Sequence, residues 1–329
     1  MMVRSNCTLL LGIWGEWMRI GILGPGAIGG LLAARLRNHD LTLFARGATL
    51  QALESGLVLH SPDGEICQLS PSEYNLINSE EDQTSEIDIA FICSKSASTP
   101  QMTELAEHVL AEDGIAISIQ NGLGHSEMLA SRLGWSRILS ASTVHGATRF
   151  GLNEVHWTGV GSISIGSLNQ GCPALADPRT SKLFTILDEA GLSPIWIDDM
   201  EKALWVKLLL NVAINPLAAI SGVENGVILE QHGLMNQAVA VMEEARIVAA
   251  AEGIEIDQLE ILEALGDVLQ RTASNRCSML QDVIAARKTE IDSLCGEVAL
   301  RAERHGIPTP LNNQLAALIK AIEDSYGIR

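Results

Sequence analysis

Met18-Arg19-Ile20-Gly21-Ile22-Leu23-Gly24-Pro25-Gly26-Ala27-Ile28-Gly29-Gly30 is the stretch that decides the fold of this 329-residue chain. Its apolar run Arg19–Leu23 predicts a buried strand, and Leu31-Leu32-Ala33-Ala34-Arg35-Leu36 predicts a helix. Between them, Gly24 to Gly29 spells G-x-G-x-x-G. Strand, glycine turn and helix, in that order, are what a dinucleotide site requires. Gly24 permits the tight turn, Gly26 lets a pyrophosphate approach the backbone, and Gly29 lets the helix pack closely on the strand. The helix N-terminus offers unpaired N–H groups and the positive end of its dipole to the phosphates.

The next strand, Asp40-Leu41-Thr42-Leu43-Phe44-Ala45-Arg46, narrows the ligand. A strand ending in Asp or Glu would hold the ribose 2′-hydroxyl of NAD. This one ends in Ala45-Arg46-Gly47 without an acid. A guanidinium suits a 2′-phosphate. The expected cofactor is NADP(H), with Arg46 as the phosphate clamp.

Further along, Ala48–Gly56 predicts a short helix, and Leu57–Leu69 a hairpin turning at Pro62-Asp63-Gly64. Ile87–Cys93, Gly114–Ile119, Ile138–Ala141 and Val160–Gly166 predict strands, and Thr99–Leu110 a helix. Strands alternating with helices imply a Rossmann-type, doubly wound parallel sheet. Lys95 and Asn121, like Arg46, follow strand ends, where such sheets bind their ligands. From Met200 the pattern turns helical: Met200–Ile220, Asn236–Glu252, Gln258–Arg271, Met279–His305 and Leu311–Glu323. The expected architecture is α/β, with a dinucleotide-binding domain over 18–198 and an all-α domain over 199–329. Residues 1–17, MMVRSNCTLLLGIWGEW, are expected to be a leader extension ahead of Met18, consistent with a mis-assigned start. A signal peptide is the weaker alternative, because Glu16 and Trp17 make a poor cleavage site.

Composition excludes several classes. Forty acidic against 22 basic residues give a net charge of −18, which argues against a nucleic-acid or anionic-membrane surface. Cys7, Cys67, Cys93, Cys172, Cys277 and Cys295 form no C-x-x-C, so a reduced cytoplasmic compartment is expected. No run of about 18 apolar residues is visible, so no membrane span is expected. The histidines show no H-x-x-x-H spacing, and no metal is expected. A homodimer is left open.

Two polar stripes mark the helical half. Lys207, Asn211 and Asn215 are four apart on one helix face, amid Leu208, Leu209, Leu210, Val212 and Ile214. A lysine and two asparagines are costly in a plain core and are explained by a polar cleft. Pro216 removes one helix hydrogen bond and predicts a kink. The second stripe runs from Asn275 through Ser278 and Asp282 to Glu290. Ser278 and Glu290 are rotated by roughly 120° on a straight helix, so they share a site only if the helix starts or bends near Ser278.

These motifs together resemble the ketopantoate reductase (2-dehydropantoate 2-reductase) family. The resemblance rests on GPGAIGG, Lys95, QNG at 120–122, WVKLLLNVAINPL at 205–217, ENG at 224–226 and NRCSMLQDVIAARKTEID at 275–292. It runs from Met18 to about Glu323. It implies NADPH-dependent reduction of 2-dehydropantoate to (R)-pantoate, on the route to pantothenate and coenzyme A. By the same resemblance Lys207 is the general acid and Glu290 the active-site glutamate. Asn211, Asn215, Asn225, Asn275 and Ser278 fall on substrate-binding positions. Gly24, Pro25, Gly26, Ala27, Ile28, Gly29, Arg46, Lys95 and Asn121 fall on cofactor positions. The chain departs from the family at Leu294-Cys295-Gly296, often Ile-Asn-Gly, and at Ser96-Ala97-Ser98, bulkier in some members.

The chemistry is consistent with the residues. Hydride attack on a ketone builds negative charge on oxygen, which a lysine ammonium can stabilise and protonate. Two alternatives stand: a reductase of another branched 2-oxo acid, and a non-catalytic NADP-binding regulator. The second has no need for Lys207, Asn211, Asn275, Ser278 and Glu290 together.

Overall fold

The computed structural model describes residues 17–81 and 85–327. The expected leader therefore lies outside the described residues, Trp17 excepted. Twelve strands are assigned among the described residues: β1 Arg19–Leu23, β2 Asp40–Ala45, β3 Leu57–His60, β4 Ile66–Leu69, β5 Asn75–Asn78, β6 Ile87–Ile92, β7 Leu110–Ser118, β8 Ile138–Thr143, β9 Gly146–Arg149, β10 Glu154–Gly159, β11 Ile163–Gly166 and β12 Pro194–Trp196. Eight of them form one sheet in the order β12-β11-β8-β7-β6-β1-β2-β5. The six from β8 to β5 are mutually parallel, as the Rossmann-type expectation requires. The edge differs: β11 pairs antiparallel to β8, so the sheet is mixed there. The chain leaves β1 for β2 and β5 on one side, then returns to β6, β7 and β8 on the other. That reversal between β1 and β6 opens a crevice beyond their carboxyl ends.

The 57–69 hairpin forms as β3 and β4, with Gly64 in the turn at φ 89°. It belongs to a second sheet, β4-β3-β10-β9, that the sequence patterns did not reveal. Alternation there buries Leu57, Leu59, Val155 and Trp157 on one face. The strand expected over Val160–Gly166 begins only at Ile163, because Gly161 and Ser162 belong to the connection.

Helices α1 Ala27–Arg35, α2 Gly47–Leu53, α3 Thr99–Val109, α4 His125–Leu133 and α5 Pro178–Glu189 accompany the sheets. The helical half comprises α6 Met200–Ser221, α7 Asn225–Glu230, α8 His232–Ala251, α9 Gln258–Arg271, α10 Ser278–Ile284, α11 Cys295–His305 and α12 Pro310–Asp324. Asp199 caps α6 by accepting from the Lys202 amide at 3.0 Å. The helix runs through Pro216 to Gly222, which turns left-handed at φ 69°. By length and composition alone α6 could cross a membrane, with a mean hydropathy of 1.7, which corrects the expectation that no segment qualifies. Some 61 % of that apolar stretch is buried in the protein, so it is a core helix here. Trp205, Leu209, Val212 and Ala213 of α6 pack with Val241, Met242, Leu265 and Leu280. A separate core under the sheet joins Ile20, Ile22, Leu43, Phe91 and Ile117.

One helix expected over Met279–His305 is two. The α10 helix stops at Ile284, Ala286 turns left-handed at φ 50°, and α11 starts at Cys295. Both Arg287 backbone and side chain fold back, the amide donating to the Asp282 carbonyl at 2.9 Å and Nε to Asp282 Oδ1 at 2.9 Å.

Candidate active site

The glycine turn is built to receive a phosphate backbone. A Cβ on Gly24, which has φ 92°, would lie 2.7 Å from the Ser94 backbone, and one on Gly29 would lie 2.5 Å from the Gly24 carbonyl. A Cβ on Gly26 would meet nothing within 4 Å, because Gly26 faces open space. The N-terminus of α1 has no side-chain cap, so its first N–H groups stay available to an anion. These residues fit a dinucleotide pyrophosphate.

The space in front of the turn is a cleft of about 650 Å³. Gly24, Pro25, Gly26, Ala27 and Ile28 line it, with Arg46, Lys95 and Asn121 from the other strand ends. The helical half adds Ser278, Asp282, Arg287 and Glu290, so both halves form one cavity. Ser278 and Glu290 meet there because α10 begins at Ser278 and ends before Glu290. Arg46 is half-exposed and donates to Glu80 Oε1 at 3.3 Å and Ser98 Oγ at 3.2 Å.

Lys95 stands in the cleft with other engagements. Its Nζ donates to Asp282 Oδ2 at 2.7 Å and to the Lys288 carbonyl, tying β6 to the helical half. Asn121 Nδ2 donates to Glu290 Oε2 at 3.0 Å, again across the two halves. Behind Asn121, His125 Nε2 meets the Asn121 carbonyl at 2.9 Å, and Gln120 Nε2 donates to the Ser94 carbonyl at 2.8 Å. Gly122 packs so tightly that a Cβ would sit 2.3 Å from the Ser293 carbonyl. The QNG turn is thus a contact point between halves.

Lys207 approaches from α6 and is not itself among the residues lining the cleft. Its Nζ donates to the Thr143 carbonyl at 3.1 Å, at the end of β8. Burial pulls the ammonium down from 10.5 to about 8, and the Glu290 charge partly opposes that shift. His145, next to β8, is fully engaged: Nδ1 accepts from the Gly161 amide at 2.9 Å and Nε2 donates to the Leu192 carbonyl at 3.1 Å. Burial lowers its pKa, so it braces the wall as a neutral imidazole.

The asparagines lie elsewhere. Asn211, Asn215, Asn225 and Asn275 do not line the cleft. Asn215 and Asn225 are buried, whereas Asn275 is exposed. The Asn225 amide donates to the Asn275 carbonyl at 3.0 Å, and Asn225 Nδ2 to Thr272 Oγ1 at 2.9 Å. Asn225 Oδ1 is buried with no partner among the described residues, which is a cost that a donor from a ligand would remove. Cys277 links the group: its thiol donates to the Asn215 carbonyl at 3.6 Å, and its sulfur caps α10 by accepting from the Leu280 amide at 3.4 Å. Burial pushes this thiol up to about 11, which makes it a packing and capping residue rather than a reactive one.

Sequence reasoning missed Arg149, Asp282 and Arg287 as cleft groups. Arg149 comes from β9, in the sheet that went unpredicted, and donates to Thr49 Oγ1 at 2.9 Å. Burial and the nearby Arg287 both lower its pKa. Asp282 was visible as the third member of the Asn275–Ser278 stripe, but its partner Lys95 is far away in sequence.

The family model described as "Ketopantoate reductase PanE/ApbA" matches residues 20–170, and "Ketopantoate reductase PanE/ApbA C terminal" matches 199–323. A 2-dehydropantoate 2-reductase of Vibrio cholerae is 32% identical over 320 residues, covering 94% of this chain and 99% of that one. A PanE/ApbA family ketopantoate reductase structure from Ralstonia eutropha superposes with a TM-score of 0.83 at 29% identity, covering 94% and 100%. A D-mandelate dehydrogenase, solved with NADH and anilino(oxo)acetate, shares the fold with a TM-score of 0.86 at 24% identity, covering 94% and 100%. On the two matched models and the near-complete overlap, the chain belongs to the ketopantoate reductase family.

Proposed function

We propose that this protein reduces 2-dehydropantoate to (R)-pantoate with NADPH, and that Lys207 is the general acid. The observation that carries the reading is Lys207, a half-buried lysine whose ammonium desolvation pulls down to about 8 and which feels the charge of Glu290, a residue lining the dinucleotide cleft. The N–H groups at the start of α1 would hold the pyrophosphate, and Arg46 the 2′-phosphate. When bound, a reduced nicotinamide would supply a hydride to the ketone carbon. Lys207 then gives its proton to the ketone oxygen and becomes neutral, the form that burial favours.

Glu290 is the positioning group. It accepts from Asn121, and its charge favours the protonated form of Lys207, whose Nζ is held by the Thr143 carbonyl. Ser278 lines the cleft and would offer the substrate a neutral polar group; the family resemblance gives the same role to Asn211, Asn215, Asn225 and Asn275, although none of them is among the residues lining the cleft. The unpartnered Asn225 Oδ1 suits a hydroxyl donor. Lys95 reaches the cofactor only by sharing itself with Asp282. A cytoplasmic location fits the five free cysteines among the described residues.

The test follows loss of the reduced-nicotinamide absorbance with 2-dehydropantoate and a panel of other 2-oxo acids, using NADPH and NADH. Preference for 2-dehydropantoate with NADPH is expected. Faster turnover of another branched 2-oxo acid keeps the mechanism and moves the specificity. Tight NADPH binding without turnover of any substrate overturns the proposal.

A further inference from the structure

The second sheet carries a side-chain cluster that the reaction does not use. His60 on β3 and His156 on β10 are register partners across a parallel pair. Glu154 is two residues before His156, so it projects from the same face. Their strand neighbours Leu59, Val155 and Trp157 are buried on the opposite face, which leaves the trio on the outer, partly exposed side. His60 Nε2 and His156 Nε2 both stand 3.1 Å from the same Glu154 oxygen, Oε1. The two imidazoles stack with centroids 4.2 Å apart at 25°. Among the described residues this is the one trio of His, Cys, Asp or Glu whose ligand atoms all lie within 4.8 Å of one another.

We propose that His60, Glu154 and His156 form a three-ligand site for a divalent transition-metal ion of the zinc type. Two imidazoles and a carboxylate are a common zinc donor set, with water completing the fourth position. Ligands about 2.1 Å from a tetrahedral ion stand about 3.4 Å from one another; the two Nε2–Oε1 separations of 3.1 Å are near that, and the stacked rings would have to turn apart for both Nε2 atoms to face one ion. The donors sit on strands rather than on a loop, so the ordering cost is already met by the sheet. The phenyl ring of Phe150, 4.0 Å from the His156 ring, packs beside that ligand. Imidazole donors favour zinc, copper or nickel over magnesium or calcium. The site is invisible in the sequence because its two histidines have no metal-ligand spacing and meet only through the β3–β10 pairing. The trio itself does not line the dinucleotide cleft but lies beside its rim, because Phe150 both packs on His156 and lines that cleft; no step of the proposed reaction uses the trio.

Equilibrium dialysis of the full chain against Zn²⁺, after chelator treatment, tests the site with metal analysis as readout. One bound ion per chain is expected. His60→Ala and His156→Ala should each weaken binding at least about tenfold while leaving the thermal transition and turnover unchanged. Unchanged zinc affinity in both variants overturns the proposal. Should a variant fail to fold, Co²⁺ added to the unaltered chain decides. Paramagnetic shifts confined to the His60 and His156 ring protons support the site. Shifts of other histidines alone, or a thiolate charge-transfer band, contradict it.

Discussion

Lys207 and Arg46 divide the residue-scale argument between chemistry and cofactor choice. A general acid must be protonated to act, so the reduction rate should fall as pH rises through about 8, with the slope of one proton. Stability moves the opposite way. The pKa of Lys207 is lower in the folded state than its ordinary 10.5, so between about 8 and 10.5 the unfolded chain binds more protons. Its contribution to stability therefore rises with pH over that window, while activity declines. A pH–rate profile set beside a pH series of unfolding free energies checks both signs. Arg46 makes a separate prediction. Arg46→Ala should weaken NADPH binding by about 1.5–3 kcal/mol, roughly ten- to hundredfold, and leave NADH almost unaffected. Equal losses for both cofactors would remove Arg46 from the 2′-phosphate. The position of Arg46 was legible because it depends only on a strand and its end. The influence of the Glu290 charge on Lys207 was not, since no spacing rule links α6 to a loop after α10.

The glycine turn and the α10–α11 break show what pattern reading can and cannot reach at the scale of elements. The turn was legible because its three glycines answer to local backbone geometry. It also makes a contrast between two alanine variants. Gly29→Ala drives a Cβ to 2.5 Å from the Gly24 carbonyl and should cost about 1–3 kcal/mol of stability. Gly26→Ala meets open space, changes only an uncapped N-cap position, and should cost no more than about 1 kcal/mol. Its effect should appear instead as weakened dinucleotide binding, because the added methyl enters the cleft. Denaturant unfolding and cofactor titration of the two variants separate these outcomes. The break after Ile284 was hidden because the apolar periodicity of Val283, Ile291 and Leu294 continues across it. Tertiary partners decide it: Glu323 of α12 accepts from the Thr289 amide at 2.8 Å and from its hydroxyl at 2.6 Å. The second sheet was hidden for a similar reason, as its strands are four to six residues long and meet from distant parts of the chain.

For the whole molecule, the cleft belongs to neither half alone. Lys95 with Asp282, Asn121 with Glu290, and Lys207 with Thr143 each cross between the sheet and the helices. A ligand held there stabilises both halves at once. NADPH at about a hundredfold excess over its Kd should add about 2.7 kcal/mol to the unfolding free energy, seen as a higher Tm. The Gly26→Ala variant should lose most of that shift at the same concentration. Delivery of the proton by Lys207 is tested by Lys207→Ala, assayed for 2-dehydropantoate turnover and for NADPH affinity in the same preparation. A fall in kcat of about 10²–10⁴-fold with NADPH affinity nearly unchanged is expected. Turnover within a few-fold of the unaltered protein would contradict it.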